Sequence, residues 1–134
     1  MPLKAYREKY SKIITRLITK CYVGVPHPNS DVMEFHGLWD TGATCSVISK
    51  RVATLLQLVP ISKTTIAHAG GQDIVNMYNV AIVLPNNILF PFVEVVECPL
   101  SGFDLLIGMD IITQGNFSIS NENGKTTFCF KFLS

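Results

Sequence analysis

The sequence predicts a mainly β domain: a small closed or barrel-like antiparallel sheet carrying one medium helix and one short one. Three observations lead there. Asn123-Gly124 is a type I′ turn signal, and taking it as a hairpin sets Glu122 opposite Lys125, Ile119 opposite Phe128 and Phe117 opposite Phe130. That register puts the apolar residues on one face and Ser118, Ser120 and Thr127 on the other, so turn and pattern agree. Upstream, β-branched runs are punctuated by Gly, Pro and Asn, and only residues 46–58 show a sustained helical period.

In chain order, residues 1–10 carry mixed charge with Tyr6 and Tyr10 and read as a lead-in segment, frayed or briefly helical. The folded domain is expected over residues 11–134. Residues 11–25 alternate through Ile14, Arg16, Ile18 and Lys20 and read as a strand, or two with a bend. Pro26-His27-Pro28-Asn29-Ser30 is a loop, because each proline removes a donor and fixes φ. Residues 32–39 form the returning strand and deliver Asp40 at its end. In residues 46–58, Val47, Ile48, Val52, Leu55 and Leu56 recur at helical spacing, with Ser46 as the N-cap and Pro60 beyond the stop.

Three further strands are expected over residues 62–69, 73–84 and 88–97, separated by Gly70-Gly71 and Pro85-Asn86-Asn87. A short buried strand over 105–107 ends at Gly108, and 109–113 turn once or twice as helix with Asp110 favoured by its dipole. Phe132 and Leu133 overrun the final hairpin and need covering; with Phe128 and Phe130 they are candidates for a subunit interface or for ordinary core.

With 134 residues, 48% of them hydrophobic and 16% charged, the chain is expected to be one ordered domain. A net charge of +1 with dispersed Lys and Arg argues against an electrostatic hold on nucleic acid or on a membrane surface. Cys21, Cys45, Cys98 and Cys129 stand far apart with no metal-ligand spacing, so no metal and no cofactor are expected. MPLKAYREKY has no apolar signal-type run, which points to a reducing, cytoplasmic setting. The longest apolar runs are too short to span a bilayer. The slightly hydrophobic average hints at apolar surface buried against a partner.

The chemistry centres on Leu38-Trp39-Asp40-Thr41-Gly42-Ala43-Thr44. Alone, Asp-Thr-Gly is an ordinary turn, with Asp40 capping it and Gly42 in a left-handed position. Its surroundings say more. Ser46-Val47-Ile48-Ser49 follow, and later comes Leu105-Leu106-Ile107-Gly108-Met109-Asp110. Together these motifs resemble the retropepsin-like aspartic proteases, whose D-T-G-A active-site loop and hydrophobic-hydrophobic-glycine segment they match from about residue 11 to the end. The resemblance implies a single-domain closed β-barrel, with a medium helix after D-T-G-A and a short one after G-M-D, assembled as a homodimer. Retroviral members usually carry an acidic residue at the position of Thr44 and an arginine at that of Met109. Both are absent here, which favours a non-viral or retrotransposon-like member.

Peptide hydrolysis without a metal needs one group to take a proton from water and another to give one to the carbonyl oxygen. Two carboxylates about 3 Å apart repel by roughly 5 kcal/mol at an effective dielectric of ~20, so the pair shares one proton and offers both functions. Asp31, Asp73, Asp104 and Asp110 lack the motif setting, so a second Asp40 from a partner chain is required. The implied function is an aspartic endopeptidase hydrolysing peptide or protein substrates, with Asp40, Thr41 and Gly42 in the catalytic loop. Thr41 would cross-link the two loops, and Gly42 would let substrate backbone approach. Ala43, Thr44 and the glycine-tipped segment His68, Ala69, Gly70 and Gly71 are the substrate-binding candidates, the latter as a flap. Ala43 cannot donate a side-chain hydrogen bond to the dyad, so a mildly acidic optimum is expected. The alternative is a catalytically inactive module of the same fold that dimerises or binds extended peptide. A small-ligand barrel lacks a supporting polar constellation, and a carboxylate-paired glycosidase lacks a second well-set acid.

Overall fold

A computed structural model of the chain describes residues 3–27 and 30–133. The elements run β1 (Leu3–Lys9), β2 (Ile18–Gly24), β3 (Val32–Trp39), β4 (Val47–Ile48), α1 (Lys50–Leu55), β5 (Ser62–His68) and β6 (Gly71–Leu84). They continue through β7 (Ile88–Glu97), β8 (Leu105–Ile107), α2 (Met109–Ile112), β9 (Asn116–Glu122) and β10 (Lys125–Leu133).

The larger sheet has the order β2-β3-β8-β4-β7-β6-β5, and a β2–β6 pairing through Tyr22↔Val83, Val23↔Ile82 and Gly24↔Ala81 closes it into a barrel. β5 stands off β6 as a projecting hairpin. The interior is filled by the inward positions of every wall: Val23, Ile48, Val80, Ile82, Leu84, Ile88, Leu105 and Ile107 are at most 1% exposed. Removal of such side chains from water is the main term holding a domain of this size together. Two pairings are parallel, β3 with β8 and β4 with β7, so the sheet is mixed rather than wholly antiparallel. β8 lies between β3, parallel to it, and β4, antiparallel to it. This arrangement brings the residue after β3 beside the end of β8.

The smaller sheet, β1-β10-β9, packs its aromatic face onto Trp39. Its indole lies 5.7, 5.0 and 5.2 Å from the rings of Phe117, Phe128 and Phe130. The hairpin register is the one the turn requires, Glu122↔Lys125, Ile119↔Phe128 and Phe117↔Phe130, with Asn123 and Gly124 both at positive φ. Phe128 and Phe130 are fully buried and belong to the core. Phe132 packs against Phe90.

Three local expectations are corrected. Residues 3–9 are neither frayed nor helical but a strand paired along its length with β10, from Leu3↔Leu133 to Lys9↔Thr127. Residues 11–17 are irregular, because their polar groups are met by hydrogen bonds such as Thr126 N–H to the Lys12 carbonyl rather than by a ladder. The helix expected over 46–58 is split. Val47 and Ile48 enter the barrel as β4, and Ser49 rather than Ser46 is the N-cap, accepting the Val52 N–H at 3.3 Å. Ser46 has its side chain committed elsewhere, to the site.

Candidate active site

Asp40 leaves the end of β3 under close backbone control. Its N–H donates to the Ile107 carbonyl at 2.9 Å, extending the parallel pairing with β8, and the Trp39 N–H just before it donates to the Leu17 carbonyl at 3.0 Å. Trp39 is anchored again through its indole N–H, which donates to the Thr19 hydroxyl at 2.8 Å. The turn closes when the Ala43 N–H donates to the Asp40 carbonyl at 3.2 Å. The Gly42 N–H donates to Asp40 Oδ1 at 2.8 Å, fixing one carboxylate oxygen with a preorganised dipole. Asp40 is half-buried, whereas Thr41 and Gly42 are exposed.

Gly42 does not have the left-handed backbone expected of it: positive φ occurs at Gly71, Gly102 and Gly124. Its requirement is space, since a Cβ there would lie 3.1 Å from Asp40 Oδ1.

The loop is held from below by the segment after β8. Asp110 accepts the Ser46 N–H at 3.0 Å and the Ser46 hydroxyl at 2.8 Å, while the same hydroxyl oxygen accepts the Gly108 N–H at 3.1 Å. The Met109 N–H donates to the Ala43 carbonyl at 2.8 Å. A Cβ on Gly108 would meet the Ala43 carbonyl oxygen and the Cys45 carbonyl group at 2.8 Å, so only glycine lets the two segments touch. Thr44, where retroviral members usually carry an acid, is exposed, and Met109, at the arginine position, is half-buried. Here Asp110 and Ser46 join the two segments. Ser46 was expected as a cap and Asp110 as a helix-start residue. Their pairing has a trace in the sequence only in that Asp110 ends the G-M-D motif. The neighbouring Asp104 ties Ser49 and Arg51, each at 2.9 Å, and so steadies the start of α1.

A hollow of about 420 Å³ opens beside Asp40 and Thr41, bounded by residues 14–17, Leu38, Trp39, Phe117 and Ile119. The sequence did not point to residues 14–17 or to β9 as neighbours of the carboxylate. Ala43 and Thr44 continue the Asp40 loop. His68, Ala69, Gly70 and Gly71 form the exposed tip of the β5–β6 hairpin, with His68↔Gly71 as its last pair and Gly71 at φ 130. They do not line the hollow beside Asp40. The His68 ring accepts the Gly70 N–H on Nδ1 at 3.0 Å and faces Asp73 from Nε2 at 2.7 Å. The first contact requires an unprotonated Nδ1, so the network assigns the hydrogen to Nε2. Among the described residues, no group of three or more His, Cys, Asp or Glu side chains is placed to hold a metal ion. No helix among them is long and apolar enough to cross a membrane.

A closed mixed barrel with Asp-Thr-Gly at the end of one strand, seated against a glycine after the adjoining parallel strand, defines the retropepsin-like aspartic protease fold. Residues 30–114 match the family described as "gag-polyprotein putative aspartyl protease", and the chain belongs to that family. Among solved structures, a retropepsin-like aspartic protease from Rickettsia conorii is similar at a TM-score of 0.63 and 10% identity, over 99% of this chain and 98% of the other. The EIAV protease complexed with the inhibitor HBY-793 gives 0.53 at 20% identity, over 74% and 86%. The simian foamy virus protease gives 0.52 at 16%, over 72% and 92%. At these identities the shared property is the fold. No curated protein sequence matches the chain.

Proposed function

We propose that this chain is an aspartic endopeptidase that works as a homodimer. Water is activated between Asp40 of one protomer and Asp40 of its partner. The observation that carries the reading is the setting of Asp40: one carboxylate oxygen is held by the Gly42 amide and the main chain is tied to Ile107, beside an open hollow. A carboxylate kept only as a turn cap would not need the cross-bracing through Ser46, Gly108 and Asp110. In the dimer the paired carboxylates share one proton, one acting as base toward water and the other as acid toward the scissile carbonyl. Thr41 would link the two loops, and Gly42, Ala43 and Thr44 would line the floor beneath the substrate backbone. The hairpin tip at His68, Ala69, Gly70 and Gly71 would close over it as a flap. A cytoplasmic setting belongs to the same reading and is supported by the four free thiols.

The stoichiometry of a statine-type inhibitor, whose hydroxyl mimics the attacking water, tests this reading. One inhibitor per two chains is expected. One inhibitor bound per chain would contradict a shared dyad. A dimer that binds peptide but cleaves none would favour the inactive-module alternative.

A further inference from the structure

We infer that His68 positions the tip of the β5–β6 hairpin and works there as a proton-operated latch. The neutral ring holds the Gly70 amide, and the protonated ring releases it to the backbone of a bound peptide. This rests on the endopeptidase reading above, in which the tip closes over the substrate, and adds how that closure is regulated.

The latch is built from two contacts made by one ring. Nδ1 accepts the Gly70 N–H at 3.0 Å, and Nε2 faces Asp73 Oδ2 at 2.7 Å. Ile66↔Asp73 and His68↔Gly71 are pairs two residues apart in one ladder, so the imidazole and the carboxylate stand on the same face of the hairpin. Gly70 is fitted to the ring: a Cβ there would lie 3.2 Å from His68 Cε1 and 3.3 Å from Nδ1. The Nδ1 contact does what an Asn or Asp side chain does when it accepts the amide two residues on, and so steadies the turn. Among the described residues the Gly70 N–H has no other acceptor.

Protonation changes one of the two contacts and keeps the other. An imidazolium carries N–H at both nitrogens, so Nδ1 turns from acceptor to donor and meets the Gly70 N–H donor to donor. Nε2 still donates to Asp73, now within an ion pair, so the ring stays anchored while its hold on Gly70 is lost. The side chains of His68 and Asp73 are 45% and 63% exposed, so the proton comes directly from solvent. The other ionisable groups around Asp73 are Lys63 on β5, Lys50 on α1, Glu97 at the end of β7 and Cys98 just after it. They line one hollow of about 630 Å³ with Asp73. The Glu97 carboxylate accepts the Tyr78 hydroxyl at 2.8 Å, and of all these groups only Asp73 contacts the imidazole.

A freed Gly70 amide is a donor without a partner in the chain, and an extended peptide beneath the tip presents backbone carbonyls to it. Neutral His68 competes with the peptide for that amide; protonated His68 does not. Peptide binding therefore tightens as His68 gains its proton, and by reciprocity a bound peptide makes that proton harder to remove. Histidine is the side chain that changes charge in the mildly acidic range expected of the proposed dyad.

Two variants bracket the switch. His68→Asn keeps an acceptor for Gly70 but takes no proton, so it stays latched. His68→Ala has no acceptor and stays released. Peptide cleavage at about pH 7.5 and about pH 5.5, on either side of the usual histidine range, is measured beside amide NMR of Gly70 in the free protein. Wild type is expected to match His68→Asn at the higher pH and His68→Ala at the lower one. KM differs between the two states by about three- to tenfold, the effect of one hydrogen bond, while the three proteins share one kcat at each pH. The wild-type Gly70 resonance moves in step with the His68 ring, and that of His68→Asn stays still. A wild-type Gly70 resonance indifferent to the ring, or a KM in constant ratio to that of His68→Asn at both pH values, overturns the latch. A wild-type protein that cleaves no peptide while Gly70 still follows the ring overturns the endopeptidase reading, and with it the role toward substrate.

Discussion

The carboxylate of Asp110 receives both the main-chain N–H of Ser46, at 3.0 Å, and its hydroxyl, at 2.8 Å. Because that hydroxyl oxygen also accepts the Gly108 N–H, one buried serine ties the segment behind Asp40 to the segment after β8. The Asp40 loop is thereby held at both ends, by Ile107 at Asp40 and by Asp110 at Ser46. Ser46→Ala leaves the buried Gly108 amide without its acceptor and takes from Asp110 Oδ1 one of two donors, the Ile111 N–H remaining at 3.0 Å. The expected cost is about 1–3 kcal/mol of unfolding free energy. Urea denaturation measures it, and a loss under about 0.5 kcal/mol, below the usual worth of one hydrogen bond, would contradict the role.

Gly108→Ala tests the close approach on the other side. The new Cβ meets main-chain atoms of Ala43 and Cys45 at 2.8 Å, which cannot swing away as a side-chain end would. The expected loss is about 1–3 kcal/mol, the usual range for overpacking. Peptide cleavage should fall further than that of a surface control, because the displaced atoms belong to the Asp40 loop. Thermal unfolding alongside cleavage separates the two effects. Unchanged values in both would show that the contact is not needed.

Trp39→Phe keeps the ring packed on Phe117, Phe128 and Phe130 but removes the donor that meets Thr19 at 2.8 Å. Thr19 is 2% exposed, and its hydroxyl is left with only the 3.5 Å contact in which it donates to the Tyr6 hydroxyl, at an expected cost of about 1–3 kcal/mol. A Trp39→Phe, Thr19→Val double variant should recover part of that loss, because both polar partners are then gone. Additive losses in the two single variants would contradict the pairing.

Much of this molecule was legible in the sequence where two signals agreed. Asn123-Gly124 and the alternation of Phe117, Ile119, Phe128 and Phe130 fixed one register between them, and the structure has that register. β3 and β8 were bounded correctly because each ends at a motif that interrupts its apolar run. What stayed hidden depends on distant partners. Residues 3–9 have no decisive local pattern and become a strand because β10 offers an edge. Val47 and Ile48 fit a helical period, but the barrel between β8 and β7 claims them, leaving Ser49 as the cap. The site divides in the same way. Asp40 was visible from its motif, while its bracing by Ser46 and Asp110, 64 positions apart, is a product of topology.

Cys21 makes a prediction about alkali. Burial pushes its thiol from 9.0 up to about 12, against a smaller opposing effect of a backbone hydrogen bond at Gly37. Tyr10 is raised from 10.0 to about 12 by burial first and by Glu8 beside it. A folded-state value raised above the unfolded one gives stability that is present below the unfolded value and lost as pH rises toward the folded one. The melting temperature should therefore fall steadily from about pH 9 to about pH 12. Cys21→Ala should start lower, because it leaves a cavity, and fall less steeply. Equal slopes for the two proteins would exclude the thiol as a source.

Ala43 bears on the acid limb of catalysis. It is half-buried directly after Gly42 and presents no hydroxyl to the carboxylate, whose recorded donor is the Gly42 amide. The proposed dyad should work best in mildly acidic solution, above the ~4.7 of the upper pepsin value. Ala43→Ser, which adds a donor, should move the acid limb of the cleavage profile downward. A wild-type optimum below about pH 3 would contradict this account.

The most direct measurement of the central claim pairs sedimentation with peptide cleavage for wild type and Asp40→Asn. The two-chain dyad predicts a wild-type dimer that cleaves and an Asp40→Asn protein that still folds and dimerises but has lost cleavage. Adding excess Asp40→Asn protein to wild type should suppress activity by forming mixed dimers with only one carboxylate. Cleavage undiminished in Asp40→Asn, or in a wild type that sediments strictly as a monomer, would contradict it.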